Sequence, residues 1–585
     1  MLEKRAPWLL FVFALVLYAP SLANGLTTWD DPDYTTQSPF VKEGVLGAAR
    51  AFTTAYEGAY IPLSHAVLAL TGAADPANPL PYHLVQWLLF ACAVALLPKA
   101  LGAFGVDTTI AFFATALWLA HPFRVESVSW VANLKDTVSL LCLAGSMAAY
   151  ASNRRWLSAF VFALGLLGKA SLAPLAPLFL LLEWRREKPR AAFVSSLRWL
   201  IPGIAAGVLA VMVHRLSLPT GRLALSWATP LTTPFWYLGR TLLPVGSRAI
   251  YDWSPPAGPM LAAVIGGWVV TAAVLTIGLR ATAPRVLRAL AIGAALFLLP
   301  LLPFTGVVPQ VHVVAERYTL YPALVLAVGV ATMLVAFGRV GFAILGALVL
   351  SLAVPNVLRQ REWRDGVTLW TSNVALAPGS TVVHINLAGA LGGAGRFDEA
   401  MRELQTVRSM EPNYPGLDCF IAMARAGKER LDPSFSVTEL TQLCALKASE
   451  RWPVAARIVA RKDASSLVVL EELAFGADRA KAAAAAGALA LEKQQFDRAL
   501  AFATQARLWD PSLDRAIVTQ VIALVKLKRL DEARALTDTQ VNDARVAARL
   551  IGLRGVVLHE LGQFADAEQL LRQSADQLRA LGETP

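Results

Sequence analysis

Ionisable side chains set beside long apolar runs are the chemistry-bearing feature of this sequence. Trp29-Asp30-Asp31-Pro32-Asp33-Tyr34 directly follows the first apolar run. Adjacent carboxylates near a bilayer raise each other's pKa and can act as a general base or hold a divalent metal ion. A solvated Asp-Pro turn is the plainer alternative. Tyr60-Ile61-Pro62-Leu63 and Pro81-Tyr82-His83 precede the second run, and residues 121–136 carry five ionisable groups: His121, Arg124, Glu126, Lys135 and Asp136. Lys169 lies between two apolar runs with no partner nearby in sequence, and Glu316-Arg317-Tyr318 opens another. Ionisable groups beside hydrocarbon are costly, so each is a functional candidate. Chemistry that uses such a set is transfer from a lipid phosphate. The apolar tail suits membrane helices, an anionic leaving group needs Lys or Arg, and an acceptor hydroxyl needs a carboxylate base.

The elements that would position these groups follow from composition. Of 585 residues, 56% are hydrophobic and 16% charged, against about 25% charged in soluble domains. That excludes a water-soluble enzyme, a disordered chain and a small disulfide scaffold. The net charge of +11 fits the cytoplasmic Lys/Arg bias of membrane proteins, and no nucleic-acid partner is expected. Apolar runs near the ~20 residues needed to cross a bilayer predict eleven spans, at 7–23, 82–101, 108–122, 134–151, 155–168, 170–184, 197–213, 259–279, 287–303, 318–337 and 340–357. Lys4-Arg5 ahead of the first run and Ser21-Leu22-Ala23 after it resemble a cleavable signal. It is read as a retained anchor because the carboxylates immediately follow. Basic clusters at Lys4-Arg5, Arg154-Arg155, Arg185 to Arg190 and Arg280 to Arg288 are assigned to the cytoplasm. The candidate residues and everything after Val357 then lie outside, in a periplasm or an ER lumen, provided that 222–246 does not fully cross.

Near Arg359-Gln360-Arg361 the long apolar runs cease, dividing a membrane domain, 1–360, from a charged, Ala-rich region, 361–585. Gly395-Arg396-Phe397-Asp398-Glu399-Ala400 recurs as Gln495-Phe496-Asp497-Arg498-Ala499, Arg529-Leu530-Asp531-Glu532-Ala533 and Gln563-Phe564-Ala565-Asp566-Ala567. Ala499, Ala533 and Ala567 are 34 residues apart, as are Pro378 and Pro412. That period is the tetratricopeptide signature of paired helices, in which small residues allow close crossing. Residues 415–479 read as two degenerate units. Such a solenoid offers a concave surface to a protein partner, or serves only as a spacer. The expected fold class is all-α throughout.

In order along the chain, Trp29-Asp30-Asp31 with Tyr34, Tyr60-x-Pro62-Leu63, Tyr82-His83-Leu84-Val85, His121-Pro122 through Trp130-Val131, Lys135-Asp136, Leu167-Gly168-Lys169, Glu316-Arg317-Tyr318-x-x-Tyr321-Pro322 and Trp363-Arg364-Asp365 resemble the transmembrane and tetratricopeptide repeat-containing O-mannosyltransferases and their bacterial relatives. These have the GT-C glycosyltransferase fold. The resemblance implies about eleven spans, a lipid-phosphate-linked sugar donor such as polyprenyl or dolichyl phosphate, and repeats on the outer side. By position it implies Asp30 or Asp31 as base. His83, His121, Glu126, Lys135, Asp136 and Tyr318 would line the sugar or acceptor site, with Lys169 and Arg317 on the donor phosphate. Ile61 departs from the family, which usually carries Arg there; a phosphate or sugar contact is then either missing or supplied by Arg124 or Arg240.

Cys92 and Cys142 read as small apolar residues, and Cys419 with Cys444 as a candidate disulfide without metal-like spacing. His214, His312 and His384 show no ligand pattern, and no nucleotide-binding loop occurs. A divalent metal at Asp30 and Asp31 stays open. Three functions stand: an inverting transferase acting on a protein hydroxyl, with mannose as one candidate sugar; a cell-envelope glycan or lipid transferase of the same fold; and a non-catalytic scaffold. A reporter fused at Pro585 should be active only on the non-cytoplasmic side, and cytoplasmic activity would overturn the assigned orientation.

Overall fold

The computed structural model describes residues 2–217, 227–278, 280, 283–305, 313–414, 416–428, 479–511, 513–541 and 543–582. These residues form helices and turns, with one isolated bridge between Tyr56 and Ala59 and no β-strand among them. The chain divides into two compact units, 1–394 and 395–585.

In the first unit six helices are long and apolar enough to cross a membrane: Glu3–Ala23, Pro79–Gly102, Pro189–Val213, Pro259–Gly278, Arg285–Phe304 and Gly338–Glu362. This is the make-up of an integral membrane protein. Four of the remaining expected spans are shorter apolar helices, Thr108–Ala120, Arg155–Gly168, Ala170–Trp184 and Pro322–Val335. The fifth, Leu134–Ala151, begins with Lys135 and Asp136. Residues 222–226 lie outside the described residues, and Ala228–Leu242 is a 15-residue helix. At ~1.5 Å per residue it falls short of the ~30 Å hydrocarbon core.

Local sequence sets where these helices begin and break. Asn78 caps Pro79–Gly102 by accepting from Leu80 N–H at 3.1 Å, and Asp107 caps Thr108–Ala120 through Thr109 N–H at 2.8 Å. Pro174 and Pro177 remove donors where Arg155–Gly168 ends, leaving a tight 3₁₀ turn at Ala170–Leu175. Lys169 is the extended residue at that break. Deeper in the bundle Phe179 stacks on Trp199 at 4.7 Å, with Phe162 and Tyr150 edge-on to Phe179. Pro259–Gly278 exposes Met260, Ile265, Val269, Val270 and Ile277, an apolar surface that hydrocarbon would cover.

The first unit extends past the compositional change near residue 361. Gly366–Leu376 packs on Thr381–Gly393, and the Arg364 carbonyl accepts from Gly25 N–H at 2.7 Å.

In the second unit the helices Arg479–Glu492, Phe496–Trp509, Asp514–Lys526, Leu530–Thr537, Ala544–Glu560 and Phe564–Ala580 pack each on the next. Ala400, Ala499, Ala533 and Ala567 are all buried. Before each of their helices the backbone repeats itself. Gly395, Gln494, Lys528 and Gly562 adopt φ of 75°, 58°, 57° and 80°. The next residues, Arg396, Gln495, Arg529 and Gln563, hold φ between −91° and −89°. Cys419 is disulfide-bonded; Cys444 and most of 415–479 lie outside the described residues.

The left-handed turn explains two of those residues being glycine, since a Cβ there is strained. No heavy atom lies within 4 Å of a Cβ built on Gly562, so only the backbone opposes a side chain. Gly562→Ala should therefore lower stability by about 1 kcal/mol. Gln494→Gly should be neutral or slightly stabilising. Thermal unfolding of the full chain checks both; an unchanged midpoint for Gly562→Ala would remove the strain argument.

Candidate functional site

The site is built on the loop that follows the first long helix. Asp30 and Asp31, equivalent in sequence, have different surroundings. Asp31 is buried at the start of the short helix Asp31–Tyr34. Its Oδ2 accepts from the Thr27 N–H at 2.7 Å and the Thr27 hydroxyl at 2.9 Å, and its Oδ1 accepts from Ala132 N–H at 2.7 Å. This carboxylate closes its own loop and pins it to the 131–133 turn, 101 residues away in sequence. Asp30 is half-buried, and among the described residues no hydrogen bond is made to its carboxylate. It lies within Coulombic reach of Lys135, Asp31 and Asp33.

Burial raises the Asp31 carboxyl to about 6, against the opposing pull of its Thr27 and Ala132 hydrogen bonds. Asp33 also rises to about 6, through burial and then repulsion from Glu57 and Asp30. At neutral pH Asp31 is the ionised acceptor that its three donors require.

Two buried ion pairs lie alongside. Glu126 accepts from the Arg317 guanidinium at Oε1 and from Arg317 N–H at Oε2, the latter at 2.9 Å. The Arg317 guanidinium also lies over the rings of Tyr318, Trp130 and Trp29, at 4.9, 5.5 and 6.0 Å from their centroids. Asp136 accepts from Lys169 at Oδ1, and from Ser127 Oγ at 3.1 Å and Asn133 Nδ2 at 2.8 Å at Oδ2. Lys135 differs: its ammonium donates to the Tyr34 hydroxyl at 3.1 Å. Among the described residues no carboxylate lies within ion-pair distance of it.

Lys135 and Lys169 meet at a groove of about 690 Å³. Tyr60, Ile61 and Phe304 also line it, with Lys169 over the Phe304 ring at 6.0 Å, and its apolar walls include Pro174, Pro177, Gly203, Gly207, Ala210 and Leu299. Phe304 stacks on Tyr318 with ring centroids 3.8 Å apart. The groove thus combines two lysines with a lining that is otherwise mainly apolar.

The other expected residues have structural partners. His83 Nε2 donates to the Gly25 carbonyl at 3.2 Å, supporting the Asp30 loop from below. His121 uses both ring nitrogens: Nε2 donates to the Thr241 carbonyl at 2.9 Å, and Nδ1 accepts from Phe123 N–H at 3.2 Å. Arg124 is buried against Trp118 and Thr319. Arg240 donates to the carbonyls of Val245 and Gly246 and to Tyr251. Neither arginine lines the groove beside Ile61; Lys135 does. Among the described residues no three His, Cys, Asp or Glu side chains come together as metal ligands. Both Asp31 oxygens face N–H or O–H donors.

Sequence reasoning passed over Thr27 and Asn133, which orient the carboxylates, and Phe304, which walls the groove. Trp29, Trp130 and Trp363 were quoted only as motif positions, and their stacking around Arg317 was not read from them. Tyr34 was quoted only as a motif position, yet its hydroxyl holds Lys135. Its ring stacks on buried His65, with centroids 5.5 Å apart. Only Asp31-to-Tyr34 helical spacing could have flagged it.

Against known proteins, the chain matches no family model and no curated sequence.

Because burial raises Asp31 above its unfolded value of 3.8 to about 6, the folded chain binds this proton more tightly than the unfolded one. Its contribution to stability is therefore greatest below about pH 4 and declines as pH rises through 6, by on the order of 2–3 kcal/mol. Asp31→Asn abolishes that dependence. The wild-type unfolding midpoint, taken relative to Asp31→Asn, should fall between pH 4 and pH 7. A constant difference would contradict the buried-carboxyl assignment.

Proposed function

We propose that this chain is an integral-membrane, lipid-phosphate-dependent glycosyltransferase that inverts the sugar. The observation that carries the reading is a groove lined by two lysines and otherwise mainly by apolar residues. A sugar on a polyprenyl or dolichyl phosphate has the matching chemistry. Its chain suits the apolar walls, and its phosphate suits Lys135 and Lys169. The family resemblance of the site strings supports the same reading. It also supports a GT-C arrangement of about eleven spans, with the site and a tetratricopeptide-type solenoid on the non-cytoplasmic side. The recurring left-handed turns and buried alanines of 395–582 favour the solenoid.

In this mechanism the acceptor hydroxyl approaches Asp30, whose carboxylate is free to take its proton. The hydroxyl oxygen bonds to the anomeric carbon as the bond from that carbon to the phosphate oxygen breaks. The electron pair leaves on the lipid phosphate. Lys135, held by a neutral hydroxyl instead of a carboxylate, offers its positive charge to the growing negative charge. Lys169 is partly neutralised by Asp136 and orients the phosphate. Glu126 fixes Arg317 at the rim. The acceptor is read as a protein Ser or Thr, recruited by the repeats, and mannose is the sugar that the resemblance favours.

A scaffold has no use for lysines in a mainly apolar groove. An unneeded buried ammonium costs several kcal/mol. A cell-envelope glycan or lipid acceptor would use the same base and cations, and the acceptor panel below separates it from a protein acceptor.

The test is purified full-length protein in lipid nanodiscs with radiolabelled mannosyl polyprenyl phosphate and peptide, glycan or lipid acceptors. Asp30→Asn should lower transfer by ~10²–10⁴-fold with the fold intact. Lys135→Gln should lower it by about 10²-fold. Wild-type rates in both variants would reject the assignment.

A further inference from the structure

The helix Gly366–Leu376 stands at the start of the region whose composition marks it as solenoid, yet it touches both halves of the site. Three of its buried residues, Gly366, Trp370 and Asn373, are spaced by four and three positions and so share one helical face. At Gly366 a Cβ would collide with Thr28 Oγ1 and lie 2.9 Å from Thr28 N. The glycine is therefore the point of closest approach to the Asp30 loop. Trp370 meets Trp29 edge-on at 5.3 Å, while Trp29 stacks on Trp130 at 4.4 Å and 10°. Trp363 packs against Trp130 at 5.7 Å. Arg317 lies over Trp29 and Trp130, so this stack joins the helix to the loops that carry both Asp30 and Arg317.

Asn373 makes a second connection. Its Oδ1 accepts from Ala249 N–H at 2.7 Å, and the Leu376 carbonyl accepts from Arg248 Nη1 at 3.3 Å. The same 248–251 loop reaches Glu316: Arg248 N–H donates to Glu316 Oε1 at 2.9 Å, and the Tyr251 hydroxyl at 2.5 Å. Arg359 holds the other oxygen at 2.6 Å. Glu316 directly precedes Arg317. One helix face therefore leads to the base on one side and to the rim cation on the other.

The indole N–H groups of Trp130, Trp363 and Trp370 are buried with no acceptor among the described residues. Each such donor costs about 1–3 kcal/mol. Three in one seam mark packing kept for its geometry and not for its polar contacts.

We infer that Gly366–Leu376 is a positioning element of the transferase site, setting Asp30 through Gly366 and Trp370 and Arg317 through Asn373. It is thus part of the catalytic unit and not only the first helix of an acceptor-recruiting array. This rests on the transferase reading for its effect on rate, but not for its effect on the loops.

The experiment uses full-length protein in nanodiscs and reads two quantities. Trp370→Ala should reduce kcat at least tenfold with the KM for the lipid donor unchanged, and Trp370→Phe should restore most of the rate. Asn373→Ala should act similarly, with Asn373→Asp, which keeps the acceptor, recovering. Thr371→Ala, on the exposed face of the same helix, should behave as wild type. Independently of activity, amide hydrogen exchange should accelerate about tenfold at 25–31 in Trp370→Ala and at 247–251 in Asn373→Ala, while 479–582 is unchanged. Lost activity without that exchange, a change confined to KM, or rates within twofold of wild type would overturn the inference. A wild type that transfers no sugar would sink the transferase reading alone. The exchange pattern would still decide whether the helix holds the two loops.

Discussion

The Asp31 carboxylate is where the two halves of the candidate site are joined. It takes Thr27 N–H and hydroxyl on one oxygen and Ala132 N–H on the other. It thereby fixes the first loop against the turn that precedes Lys135 and Asp136. That bond, together with the Lys135–Tyr34 hydrogen bond and the Trp29–Trp130 stack, keeps Asp30 near Lys135 although the two belong to segments about a hundred residues apart. A buried carboxylate with three donors is stable only if all three are aimed at it, because charge-assisted bonds must offset its lost hydration. The geometry is therefore close to all-or-none, which is what a site needs if its base must stay placed.

The same rule governs the other buried charges. Glu126 with Arg317, Asp136 with Lys169 and Glu316 with Arg359 are each buried pairs carrying further hydrogen bonds. A buried pair is weak evidence for stability, since apolar residues of equal volume often serve as well. Removing one partner is a different matter, and typically costs 3–5 kcal/mol. Burial raises Glu316 to about 7 even with Arg359 lowering it, so the cost of its charge is evident at neutral pH. These pairs hold in register loops that also pack buried apolar residues such as Phe123, Val128, Trp130 and Val314.

Much of this was legible in the sequence and some could not be. Apolar runs and charge-free stretches mark helices by composition alone, and the 34-residue spacing announces Ala499, Ala533 and Ala567, all of which are buried. The candidate ionisable residues were conspicuous because charge is rare in the first 360 positions. Partnership was not legible. Asp30 and Asp31 are indistinguishable as letters, but consecutive side chains at a helix start point in different directions. One meets three donors and the other meets none among the described residues. His121 shows the same limit: a histidine beside a membrane segment suggests chemistry, and its letters do not tell that both its nitrogens meet backbone groups. The compositional change near residue 361 also says nothing of packing, so a helix with solenoid-like composition can belong to the membrane unit.

The three cations of the candidate site, Lys135, Lys169 and Arg317, are not equivalent, and their differences follow from what holds them. Arg317 is planar and is held by a carboxylate and three aromatic faces, which fixes its orientation and leaves little freedom to follow a ligand. Lys169 shares its charge with Asp136, whose remaining oxygen is held by Ser127 and Asn133, so the pair is close to neutral as a unit. Lys135 is bonded to a phenol hydroxyl, which orients the ammonium without cancelling it. A phosphate arriving in the groove would therefore find one charge largely uncompensated and another that must first be drawn from its carboxylate. Coulomb's law in a partly buried groove makes the uncompensated charge the stronger attractor. In the proposed mechanism Lys135 is then the main attractor for that anion, and its placement depends on Tyr34 and so on the short helix that Asp31 begins. The base and the bond that fixes it thus belong to one segment of a few residues, which meets 130–135 through Trp29 on Trp130, Asp31 on the Ala132 N–H and Tyr34 on the Lys135 ammonium.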